Sequence, residues 1–101
     1  MTYSTFCSAL EHDLSSPPDT LSDPQRVLWL IRADQWEAAH DLASAIDTPT
    51  GSRLHGLLHT IEGDLGNAAY WYARANAPAI SAEQIETEWE TLARDLCEND
   101  S

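Results

Sequence analysis

The chain contains no lysine; its five basic residues are all arginine, at positions 26, 32, 53, 74 and 94, against 17 acidic ones. The resulting formal net charge of −12 repels phosphate backbones and anionic lipids, which argues against duplex nucleic acid or a membrane as partner. Long apolar runs are missing as well, and nothing approaches the roughly 20 residues needed to cross a bilayer. The opening segment Met1-Thr2-Tyr3-Ser4-Thr5-Phe6 lacks the basic and apolar parts of a secretory signal, so a cytoplasmic location is expected. The two cysteines, Cys7 and Cys97, show no Cys-x-x-Cys spacing and are expected to be free thiols. There is no glycine-rich phosphate loop, no Gly-x-Ser-x-Gly elbow and no supported Cys/His arrangement. A binding role is therefore expected ahead of catalysis.

What is present points to a folded domain. Hydrophobic residues make up 43% of the chain and four are tryptophan, which excludes a wholly disordered polymer. A length of 101 residues suits one domain. Periodicity and punctuation predict an all-α fold of five or six short helices in antiparallel pairs. Phe6, Leu10 and Leu14 mark an N-terminal helix over about residues 3–14, closed by Ser15-Ser16-Pro17-Pro18. Asp23-Pro24 reads as an N-cap followed by a first-turn proline. Asp34 with Glu37 reads as a capping box for a helix over about 35–47. Thr48-Pro49-Thr50-Gly51-Ser52 reads as a turn, and Leu54, Leu57, Leu58 and Ile61 as the stripe of a helix from Arg53 to Glu62. Asp64 caps the next helix, and Ser81 with Gln84 opens a last one over about 82–98.

Shifting the chain by 30 residues overlays two helix pairs, about 23–47 and 53–77. Asp34 meets Asp64, Ala38 and Ala39 meet Ala68 and Ala69, Ala45 meets Ala75, and Val27, Leu28 and Ile31 meet Leu57, Leu58 and Ile61. Small residues recurring where helices approach closely mark a helix-turn-helix repeat, with the helices over 3–14 and 82–98 as end caps. The second copy, with small residues at Gly56, Ala68 and Ala75, a Gly63-Asp64 turn and an aromatic at Tyr72, resembles a tetratricopeptide-type repeat. The stretch His55-x-x-Leu58-His59-x-x-Glu62-Gly63-Asp64-x-x-Asn67-Ala68-x-Tyr70-Trp71-Tyr72-x-Arg74-Ala75 also resembles a group of small microbial proteins. That second likeness supplies a motif and no activity. The tetratricopeptide likeness implies a module that binds a protein, a peptide or a small ligand.

One constellation carries possible chemistry. His55, His59 and Glu62 fall within about 60° of one another on a helical wheel, so their side chains converge. Two imidazoles one turn apart plus a carboxylate can face a divalent ion, with His40 or Asp64 as a further ligand where the fold brings it near. The competing reading is packing, with Glu62 paired to Arg74. Tyr70 and Arg74, one turn apart, are expected to join the histidines as the wall of a partner or ligand pocket, Arg74 seeking an anion. Trp71 and Tyr72 are expected in the core. Val27 to Ile31 is apolar all round, which predicts a helix buried on every side or a homodimer contact. The acidic run over 83–100 leaves one more alternative, an acidic mimic of nucleic acid that binds a basic protein.

Overall fold

The computed structural model describes residues 1–97. Six α-helices follow one another: α1 (Tyr3–His12), α2 (Asp23–Arg32), α3 (Trp36–Ser44), α4 (Pro49–Glu62), α5 (Leu65–Arg74) and α6 (Ile85–Leu96). The last is entered through a 3₁₀ turn at Ala82–Gln84. The all-α class is therefore what the chain adopts. The end of the helix expected over 82–98, and of the acidic run, lies from Glu98 onward and outside the described residues.

Local chemistry sets the helix ends, in several places differently from expectation. α2 is capped by Ser22 rather than Asp23, because Gln25 sits at the third helical position and closes a reciprocal box. The Ser22 N–H donates to Gln25 Oε1 at 2.9 Å, and Gln25 N–H to Ser22 Oγ at 3.3 Å. An Asp23 cap would place Arg26 there, which has no acceptor to offer. α4 begins four residues before the expected Arg53: Thr48 is its N-cap, accepting from the Gly51 N–H at 3.1 Å, and Pro49 occupies the first turn. The supposed turn cluster is thus a helix start of the Thr-Pro kind. α1 stops at His12, since the Asp13 carboxylate takes the Ser15 N–H and hydroxyl and competes with the helix. Leu14 is left outside the helix and partly exposed.

The two inter-helix turns align at an offset of 29, not 30. In the first, Asp34 adopts the left-handed conformation (φ 58°) and Gln35 N–H reaches back to Leu30 O. In the second, Gly63 does so (φ 87°) and Asp64 N–H reaches back to His59 O. Asp34 therefore corresponds to Gly63, and it does not cap α3, whose N-cap is Gln35 with no side-chain bond. Asp64 does cap α5, accepting from Asn67 N–H at 3.2 Å. At this offset the buried Ala39 and Ala43 match the buried Ala68 and Tyr72.

α4 lies at the centre, packed against α2, α3, α5 and α6. Phe6 fills the space between Trp29 and Trp89, with both ring centroids 6.1 Å away. Val27, Leu28 and Trp29 are buried, with Leu30 and Ile31 partly covered against the same core. Most of the apolar surface of α2 is thus covered by its own chain, with Leu30 and Ile31 left partly exposed. Two glycines permit the close approaches around α4. A Cβ on Gly51 would lie 2.1 Å from Ile46 O, and one on Gly56 would lie 2.6 Å from the Tyr72 ring. Tyr72 reaches past Gly56 to donate its hydroxyl to Glu88 Oε2 at 2.9 Å.

Candidate functional site

His55 and His59 stand one turn apart on α4 and are both buried, at 5% and 6% exposure. α3 crosses this face and delivers His40, whose Nε2 lies 2.9 Å from His55 Nε2. One nitrogen from each of His40, His55 and His59 falls within 4.8 Å of the others. The close imidazole pair has one ring donating and the other accepting. Aromatic walls hold the three rings in place. Trp71 stacks on His55 at 3.9 Å with an interplanar angle of 6°, and Trp36 stacks on His40 at 4.9 Å. Trp36 is itself anchored by its indole N–H to Leu58 O at 2.8 Å.

Burial, reinforced by the neighbouring His40 and His59, lowers the His55 pKa to about 4. His55 is therefore neutral near pH 7, the form that offers a lone pair to a metal or an acceptor to a proton. Glu62 Oε1 lies 2.5 Å from His59 Nδ1. That contact corrects two expectations. Glu62 does not pair with Arg74, and it does not stand beside both histidines as a third ligand. It holds Nδ1 of His59 and leaves Nε2 without a hydrogen-bond partner among the described residues. His40 takes the third place, while Asp64 lies near His59 and Glu62 only.

The other expected residues are distributed around this centre. Arg74 and His55 line one hollow, with Trp71 between them. Tyr70 is 54% exposed and does not line it; its hydroxyl accepts from Arg74 Nη1 at 3.2 Å. Tyr72 is fully buried as expected, whereas Trp71 is half-buried and serves as the wall of the histidine cluster. Trp71 went unrecognised as a site residue because spacing alone puts it beside Tyr72 on the inward arc of α5. The signal that separates them is Gly56. It seats the Tyr72 ring on α4, and the preceding indole then falls over His55, the neighbour of that glycine.

Three imidazole nitrogens can hold a tetrahedral metal ion at 2.0–2.1 Å from each, which requires nitrogens about 3.3 Å apart. The 2.9 Å pair is already near that spacing, and the third nitrogen lies within 4.8 Å of both. A carboxylate on the other nitrogen of a ligating histidine is a recurrent outer partner that fixes tautomer and orientation. Glu62, bonded to Nδ1 of His59, would stand in that relation with Nε2 as the ligating nitrogen.

Compared with protein-family models, curated proteins and solved structures, the chain matches none.

Proposed function

We propose that this protein binds a divalent transition-metal ion of the zinc, nickel or copper class on His40, His55 and His59. The observation that carries the reading is the convergence of three ring nitrogens, two of them from nearly sealed histidines, inside a cage of two tryptophans. Imidazole nitrogen suits these ions and not magnesium or calcium. Glu62 supports the site through His59 rather than ligating.

Calorimetry and thermal melts of chelator-stripped protein test this. One ion per chain is expected, and at a hundredfold excess over Kd about 2.7 kcal/mol of stabilisation, or a rise of roughly 10–20 °C in Tm. His40→Ala and His59→Ala should each abolish the rise, and Glu62→Gln should weaken affinity about 10- to 100-fold. The remote His12→Ala serves as the control. Unchanged metal affinity in folded His40→Ala protein refutes the site.

A further inference from the structure

Next to the cluster, a hollow of about 140 Å³ lies between the end of α3, the first turns of α4 and the end of α5. It is lined by His55 but by neither His40 nor His59, together with Asp47, Ser52, Trp71 and Arg74. A second hollow of about 250 Å³ shares Asp47, Ser52 and Arg74 with it. The polar groups of this wall are oddly placed for a chain so rich in carboxylates. Arg32, Arg53 and Arg94 pair with Glu86, Glu88 and Glu90. Arg74 has no carboxylate within ion-pair distance among the described residues; it donates to the Tyr70 hydroxyl and lies 5.2 Å from the Trp71 ring centroid. Asp47 faces the same two hollows and does not pair with it.

The neutral groups are also available. Among the described residues, nothing bonds the Ser52 hydroxyl, and the one hydrogen bond of the His55 ring is made by Nε2. No fully buried polar side-chain atom lacks a partner, so the unbonded Nδ1 of His55 is not sealed, and His55 lines the hollow. One cation, one anion, a hydroxyl and an imidazole nitrogen thus face a space with an indole wall. A simple anion would meet Asp47 and a simple cation would meet Arg74. A molecule carrying both charges satisfies the pair at once.

We propose that this hollow binds a small α-amino acid as its zwitterion, with its carboxylate on Arg74 and His55 and its ammonium on Asp47. The hollow holds the volume of about four to five waters, which is the size of glycine or alanine. The shared second hollow offers room for a longer side chain. The proposal does not depend on the metal reading, since it uses the unbonded nitrogen of His55 and none of His40 or His59.

The test is a nuclear magnetic resonance titration of metal-stripped protein with glycine and L-alanine, with acetate and methylammonium as half-ligands. Saturable shifts are expected at the Trp71 indole and the Ser52 amide, with each half-ligand at least about tenfold weaker. Arg74→Gln and Asp47→Asn are both surface changes, and circular dichroism confirms their fold. Each should weaken glycine binding about tenfold or more. Absence of saturable shifts, acetate binding as tightly as glycine, or undiminished binding by either variant overturns the proposal.

Discussion

Two Arg–Glu pairs with nearly the same geometry allow the role of burial to be measured directly. Arg32 grips Glu86 with two bonds, at 2.5 and 3.0 Å, and Arg53 grips Glu88 with two, at 2.7 and 2.9 Å. They differ in surroundings: the Glu86 side chain is 75% exposed and that of Glu88 only 8%. Glu88 also accepts the hydroxyl of the fully buried Tyr72. It therefore ties α6 to both α4 and α5. Burial pushes the Glu88 carboxyl up, but the bonds from Arg53 and Tyr72, with the Arg53 charge, outweigh it and hold the group below its ordinary value. Glu86 is also held low, by the Arg32 hydrogen bond.

Replacing Glu88 by Gln keeps the volume and removes the charge. Breaking a buried pair costs about 3–5 kcal/mol; because the Arg53 side chain is 29% exposed and keeps some hydration, a loss of about 2–3 kcal/mol is expected. For a chain of this size that is a fall in Tm of roughly 10–20 °C. Glu86→Gln, at a solvent-screened pair, should cost about 0.5 kcal/mol or less. Urea unfolding at pH 7 reads both. The sign with pH follows from the lowered carboxyl. The Glu88 contribution is fully present above the unfolded value of 4.5 and is lost as pH falls through the lower folded value. The stability gap between wild type and Glu88→Gln should therefore close in acid. Equal costs for the two substitutions at pH 7 would refute the assignment of Glu88 as the tie between helices.

Gly56→Ala should destabilise by about 1–3 kcal/mol in urea unfolding despite the better helix propensity of alanine, because the new methyl meets the Tyr72 ring. A stabilised variant would mean that α5 is free to move outward. Asp34→Gly should raise stability by a few tenths of a kcal/mol to about 1, since Asp34 is held at φ 58° where glycine is unstrained. A loss of stability would show that the aspartate itself makes a needed interaction.

The fold was legible where one element decides it. The helical stripes of α4 and α6, the stop at Gly63 and the Asp64 cap all follow from residues within a turn of each other, and they stand where expected. Errors arose where two residues competed for one local role. Ser22 and Asp23 can both cap α2, and only the partner three residues on decides between them. Thr48-Pro49 carries both a turn signal and a helix-start signal. The repeat offset failed for the same reason. A shared aspartate suggested 30, whereas the hydrogen bonds show Asp34 in the left-handed position that Gly63 holds in the second turn.

The candidate site was half legible, and the missing half lies in the crossings of helices. His55 and His59 converge because a helix places residues four apart on one face. His40 and Trp71 arrive from α3 and α5, and their placement depends on how closely those helices approach α4. What the assembled cluster does with its nitrogens bears on packing against binding. Three of the four buried or half-buried indoles show how packing alone resolves a polar atom here: Trp29, Trp36 and Trp89 each donate to one backbone carbonyl, of Leu14, Leu58 and Leu28. The histidines are not resolved that way. His40 and His55 set ring nitrogen against ring nitrogen, a contact that requires one of the two to give up its donor, and no described main-chain atom anchors either ring. Such an arrangement is a poor way to fill space, since a leucine at position 55 would remove two polar atoms from the interior. It is a suitable way to keep lone pairs assembled and oriented, with His59 steered by Glu62, at a point where an ion can replace the shared proton.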